Sequence, residues 1–354
     1  MHMADALLAP AVAATMYVAS GTAAGVSIAK LRKDDNPQKL PTMAVAAALV
    51  FAGQMINYTI PGTGSSGHMC GGMLLSALLG PYAGFLSMIV ILAIQCLFFA
   101  DGGLMALGAN IWNMAFYGCF VGYFLIWRPI IRSSWFKNME TKAALRLKII
   151  IASVIGCIVT LQLGAFSVVL ETSLSGITEL PFGAFCALMQ PIHLAIGLVE
   201  GLITSAVLIF VFESRPELLQ DVDSAEKGIP NKRSLKTTVI ILAAVAVVVG
   251  GGLSLLASSN PDGLEWALFG NAEEGYSENM GLDEENFGKE STVADKAASV
   301  QEKTSFLPDY AFPESESAVG TTVSGIVGGI MVAGVALLIC FLCGFFRKKK
   351  PKTA

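Results

Sequence analysis

Apolar runs near twenty residues long recur nine times along the chain, at 9–29, 41–60, 69–84, 85–100, 104–127, 149–170, 182–212, 237–257 and 319–346. A helix of that length rises about 30 Å, enough to cross the hydrocarbon core of a bilayer. Away from water each run must satisfy its own backbone groups, so the expected fold is an all-α polytopic membrane protein with about nine transmembrane helices. The third and fourth runs are each short of a full span, because Gly80-Pro81 interrupts one apolar stretch. A hydrophobic share of 54% against 14% charged residues agrees with this reading and excludes a cytosolic enzyme, a DNA-binding domain and a disordered tail protein.

The charges set the expected topology. Fourteen of the 27 acids, but only three of the 23 Lys and Arg, lie in residues 258–318. The other twenty basic residues follow the first, fifth, seventh and ninth runs, on one side of a nine-span arrangement. Basic loops collect in the cytoplasm, so the C-terminus is expected there, with the amino terminus and residues 258–318 outside. Met1-His2-Met3-Ala4-Asp5 has no basic region of the kind that opens a cleavable signal peptide, so Met1 is expected to be kept, with its amino group exposed outside. Beyond Gly270 the acidic segment reads as largely loop, with a solvated surface. The seven cysteines all fall in apolar runs, and Cys340-x-x-Cys343 reads as membrane packing rather than a metal or redox site.

Only three histidines occur, His2, His68 and His193, and the first two are expected at the outer surface. A free terminal amine followed by histidine chelates a divalent ion through the Met1 amine, the His2 amide and the His2 imidazole. His68, presented by the turn Pro61-Gly-Thr-Gly-Ser-Ser-Gly67, is placed to complete a square of four nitrogens. Such a set suits Ni(II), Cu(II) or Co(II) and fits tetrahedral Zn(II) or the oxygen-seeking Mg(II) and Ca(II) badly. The plainer alternative is two interfacial histidines bonded to backbone. Asp5 and Asp101 are acidic residues near that surface, and Asn110 and Asn113 share a helix face from which they would bond the loops closing the site. His193 and Glu200, seven apart in the seventh run, are expected to orient a neighbouring helix or loop rather than to ligate metal. Small residues four apart (Ala19 and Ala23, Gly21 and Gly25, Gly118 and Gly122, Gly197 and Gly201, Gly325 and Gly329) serve either packing within the bundle or docking of a partner.

Four ordered stretches, Met1-His2-Met-Ala-Asp5-Ala-Leu-Leu-Ala-Pro10, Gly62-Thr-Gly-Ser-Ser-Gly-His68 with Gly71-Gly72, Asp101-Gly-Gly-Leu-Met-Ala-Leu-Gly-Ala-Asn110-Ile-Trp-Asn113, and Pro191-Ile-His193-Leu-Ala-Ile-Gly-Leu-Val-Glu200-Gly201, together resemble the CbiM/NikM family. These are metal-binding membrane components of energy-coupling factor transporters for cobalt and nickel. Pro261-Asp-Gly-Leu-Glu265, between the last two runs, is similar to the accessory component CbiN/NikN. Ala4 and Ala6 stand where the family often has Pro and Gly, and Thr63-Gly-Ser-Ser replaces a shorter Thr-Ser.

The resemblance implies a metal site made from the Met1 amine, the His2 amide and imidazole, and the His68 imidazole. It implies Co(II) or Ni(II) as cargo with no resident cofactor, an inner-membrane location, and partners in a transmembrane coupling protein and cytoplasmic ATPases. Residues 1–212 would form a seven-helix substrate-binding domain, 213–236 a cytoplasmic linker, 237–346 a two-helix accessory domain, and 347–354 a basic cytoplasmic tail. No G-x-x-x-x-G-K-[ST] stretch is present, so energy from ATP is expected to come from partners and the chain is not expected to be an enzyme. Two rivals are a rhomboid-like protease using Ser66 with His193, and a Cu(I) transporter using Met1, Met3, His68, Met69, Cys70 and Met73.

Overall fold

The computed structural model describes the whole chain except residues 34–38, 178, 224–227, 273–274, 277–278, 284–286, 313–318 and 346–354. The basic tail and the side chains of Cys340 and Cys343 therefore lie outside the described residues. The helices are α1 (Pro10–Leu31), α2 (Lys39–Gln54), α3 (Gly72–Leu79), α4 (Pro81–Phe99), α5 (Leu107–Arg132), α6 (Thr141–Leu174), α7 (Phe182–Ser214), α8 (Leu235–Gly251), α9 (Gly263–Phe269), α10 (Thr292–Thr304) and α11 (Val319–Phe345). A two-stranded antiparallel hairpin, β1 (Tyr58–Ile60) and β2 (Ser65–Gly67), pairs Tyr58 with Gly67 and Ile60 with Ser65.

Among the described residues six helices, α1, α4, α5, α6, α7 and α11, are long and apolar enough to cross a membrane. The apolar stretches Pro41–Gln54 and Leu235–Gly251 are shorter, and the expected third span is only the eight-residue α3. Gly71 and Gly80, both at φ 83°, stop α3 at its two ends, and Pro81 starts α4 afresh. Irregular backbone at this depth is tolerable only inside protein, and every residue of α3 is buried. The ends of so short a helix leave polar groups that neighbours must satisfy. The Glu200 carboxylate accepts from the Cys70 and Gly71 amides just before α3, each at 2.9 Å. At the other end, the Gln220 backbone N–H donates to Ala77 O at 2.8 Å and its side-chain amide to Leu78 O at 3.1 Å.

Helix α4 is central, with 72% of its most apolar window buried, while α1 is peripheral, with 17%. Helices α6 and α7 approach closely at Gly197 and Gly201, where an added Cβ would lie 2.9 Å from Ile158 Cα and 2.6 Å from Val154 Cα. Gly325 meets Gly250 in the same way, joining α11 to α8, whereas an added Cβ at Gly21, Gly25 or Gly329 meets nothing within 4 Å.

The bundle has two chemically different ends. At one, Glu213 accepts from Lys142 at 2.8 Å, Arg146 at 2.7 Å and Lys232 at 2.9 Å, and Asp221 accepts from Arg132 and Tyr123, each at 2.7 Å. At the other lie Met1, the hairpin, residues 101–105 and the acidic segment.

That segment departs from the loop expected beyond Gly270. Helix α10, begun by a Ser291 cap and rich in Ala, Gln, Glu and Lys, is fixed by Gln301, whose amide donates to Gly102 O at 2.7 Å and Cys96 O at 2.9 Å. Those carbonyls stand at the end of α4, where an unpartnered acceptor would be costly, so a long-range contact seats a helix that the local cap and residue preferences allow.

Candidate metal centre

The amino terminus is threaded into the bundle, not left in solvent. Asn110 on α5 grips Met3 from both sides, accepting from its N–H at 2.7 Å and donating to its carbonyl at 3.2 Å, while Gly103 N donates to the same carbonyl at 2.9 Å. The Ala106 N–H donates to Asp5 Oδ1 at 2.9 Å. Met3 and Asp5 are thus fixed, and Met1, Met3, Leu7 and Leu8 are buried.

His68 comes from the second element. It follows β2, which a turn over residues 61–64 joins to β1, and the ring stacks on His2 with centroids 5.3 Å apart and planes 19° apart. His68 Nδ1 bonds Met69 O at 3.2 Å, which leaves Nε2 facing inward. Glu200 fixes the Cys70–Gly71 backbone two residues on, and His193 Nδ1 donates to Met189 O at 2.8 Å one turn back on α7.

Asp262 closes the arrangement, and sequence reasoning assigned no site role to it. Its Oδ1 caps α9, accepting from Leu264 N at 2.8 Å and Glu265 N at 3.0 Å, while Glu265 reaches back to Asp262 N at 3.1 Å. Its Oδ2 pairs with the Met1 ammonium and lies 3.8 Å from His68 Nε2. The capping pattern Asp-x-x-Glu was legible; the distant partner of the second oxygen was not. The segment is seated on the hairpin by Ser66 N to Pro261 O and Trp266 Nε1 to Thr63 O, both 2.8 Å.

Electrostatics follow from this geometry. Burial opposes ionisation of Asp262, but the Met1 ammonium and His68 outweigh it and hold the carboxyl well below the usual range. Asp101 behaves alike: burial opposes, yet His2, whose Nδ1 lies 3.0 Å away, and the Tyr310 hydroxyl at 2.5 Å keep it low. The Met1 amine keeps its proton because Asp262 outweighs burial, whereas burial lowers His68 and favours its neutral form. Glu265 is pushed up to about 7 by the Asp262 charge and by burial.

A cavity of about 10 Å³, room for roughly one atom or water, lies among Met1, His68, Cys70, His193 and Asp262. An open cavity of about 940 Å³ lies beside it, walled by His2, Asp5, Asp101, Asp262, Glu265 and Asp309. Among the described residues no group of three or more His, Cys, Asp or Glu side chains is placed to hold a metal. Asn113 stands one turn beyond Asn110 and touches Met3 and Glu171 instead of the cavity.

The rivals find no support. The Ser66 hydroxyl donates to Asn260 O at 2.7 Å, not to a histidine. The sulfurs of Met69 and Met73 pack beside Gly53 and between Gly122 and Gly156, and do not converge.

Residues 2–218 match the model of the CbiM family, described as the cobalt uptake substrate-specific transmembrane region. The chain belongs to the CbiM family. Residues 236–344 match the PDGLE domain, so this CbiM-family chain carries both in one polypeptide. It is 35% identical over 344 residues, 96% of its length and 98% of the relative's, to a protein of Archaeoglobus fulgidus provisionally described as a fused nickel transport protein, NikMN. It is 32% identical over 179 residues, 51% of this chain and 76% of the relative, to the cobalt transport protein CbiM of Sorangium cellulosum. The crystal structure of a truncated transition metal transporter is similar with a TM-score of 0.51 and 31% identity, covering 60% of this chain and 99% of that one. This CbiM-family protein is accordingly a multi-pass membrane component of cobalt or nickel transport, a transporter part and not an enzyme.

Proposed function

We propose that the chain captures Ni(II) or Co(II) at the outer membrane surface through the Met1 amine, the His2 amide and imidazole, and the His68 imidazole, for uptake driven by ATPases on partner subunits. The observation that carries this reading is the convergence of three nitrogen-bearing residues: Met1 and His68 line a one-atom cavity, and His2 stacks on His68 at the wall of the open cavity beside it. The twenty Lys and Arg outside residues 258–318 support an amino terminus outside and a cytoplasmic C-terminus across the inner membrane.

Capture on this reading is an exchange of partners. The Met1 amine would leave Asp262, and it and the His2 amide would each release one proton to water as the metal takes their place. His2 Nδ1, the nitrogen that closes a six-membered ring with its own amide, leaves Asp101. The two carboxylates remain beside the complex as counter-charge, with Asp5, Asn110, Asn113, His193 and Glu200 supporting the ligand-bearing segments. Four nitrogens in a plane, one an ionised amide, favour diamagnetic Ni(II) over Co(II).

The test is Ni(II) titration of the purified chain against a version with one extra residue before Met1. High-affinity binding is expected to vanish in the extended chain with His2 retained, and in His68→Ala to weaken strongly. Normal binding by the extended chain would overturn the amine chelate.

A further inference from the structure

Glu171, near the end of α6 and 4% exposed, carries no role so far. It accepts from Asn113 Nδ2 at 2.7 Å, and the same nitrogen points its other hydrogen toward Met3 Sδ at 3.6 Å. Asn113 is 1% exposed and Met3 is 0% exposed. The amide orientation that reaches the Met3 thioether is thus set by Glu171.

The pair is short of a donor. Glu171 Oε1 and Asn113 Oδ1 are both buried and have no hydrogen-bond partner. Among the described residues Asn113 is the one donor to the Glu171 carboxylate, and no ion pair reaches it. Lys289 Nζ, on the neighbouring external segment, is bonded to Ser175 O at 3.4 Å. An ionised carboxylate held this way is strongly disfavoured, and two buried acceptors without a donor are costly in themselves. One proton on the carboxyl removes both penalties, because a carboxylic acid and a primary amide can each donate to the other.

We infer that Glu171 is a neutral carboxylic acid paired with Asn113, and that this acid–amide pair is the positioning element holding Met3, and through it the Met1–His2 ligand segment, in register. The functional half of this statement rests on the proposed capture site. The chain of contact runs Glu171, Asn113, Met3, and Met3 is one residue from His2. Asn110 bonds the Met3 backbone while Asn113 contacts its side chain, so the residue is held at both.

The inference separates three substitutions. Glu171→Gln keeps a group that both donates to and accepts from Asn113; Glu171→Asp falls one methylene short; Glu171→Ala leaves Asn113 unoriented. Measured on the full-length chain, Ni(II) affinity should stay within about threefold in Glu171→Gln and fall about 10- to 100-fold in Glu171→Asp and Glu171→Ala. Two readouts do not depend on metal. The infrared difference between wild type and Glu171→Gln should contain the C=O band of a protonated carboxyl at neutral pH. Hydrogen exchange at the Met3 amide should stay slow in Glu171→Gln and quicken in Glu171→Ala. Loss of affinity and of Met3 protection in Glu171→Gln equal to that in Glu171→Ala, absence of the carboxyl band, or unchanged Met3 exchange in Glu171→Ala would overturn the proposal. If wild type bound no Ni(II), the capture site itself would fail, and the band and the exchange would still decide the pair.

Discussion

Asp262 does two jobs with two oxygens, one capping α9 and one facing the Met1 ammonium and His68. The jobs are separable because asparagine caps a helix about as well as aspartate but carries no charge. In the metal-free chain, Asp262→Asn is expected to lose only the buried ion pair, while Asp262→Ala loses the pair and the cap, and so unfolds with about 1 kcal/mol less stability than Asp262→Asn. Thermal unfolding of the two variants beside wild type checks this; an Asn variant as stable as wild type would show that the ion pair contributes nothing. Glu200 offers a second residue-scale prediction. It holds the Cys70 and Gly71 amides that follow His68, so Glu200→Ala should loosen the turn and weaken Ni(II) binding about 10- to 100-fold, the range found for groups that orient metal ligands. His193→Ala, which removes a bond to Met189 O within one helix, should leave the metal stoichiometry unchanged.

The elements divide by what glycine permits. Gly201 lets α7 approach α6 so closely that a Cβ would meet Val154 backbone at 2.6 Å, whereas Gly21 on α1 meets nothing within 4 Å. Gly201→Val should therefore destabilise the isolated chain by about 1–3 kcal/mol or more, and Gly21→Val should leave it unchanged within error in the same denaturation assay. Helix α3 shows what the hydropathy pattern leaves open. Its residues and those of α4 have the same apolar character, and only Gly80-Pro81 marks the break. Whether eight buried residues form a helix depends on Glu200 and Gln220, far away in sequence, supplying partners for its ends.

For the whole molecule, the expected behaviour is that of a capture component. Vesicles holding this chain alone should at most equilibrate Ni(II), while coexpression with a coupling protein and its ATPases should give accumulation against a gradient. Concentrative uptake by the isolated chain would sink the proposal. The sequence by itself determined the membrane-embedded helical class, the charge asymmetry of the loops, and the family, because apolar runs, basic loops and short motifs are local properties of the chain. It also singled out Met1, His2 and His68, since scarce imidazoles beside a terminal amine are chemically conspicuous. Only the tertiary structure decided that α3 is half a span, that α10 is ordered, that Glu200 serves the His68 turn, and that Asp262 lies against Met1 across 261 residues. The physical reason is common to all four. Each depends on a polar group whose partner lies elsewhere in the chain, and a sequence states which donors and acceptors exist without stating which of them the fold brings within about 3 Å of one another.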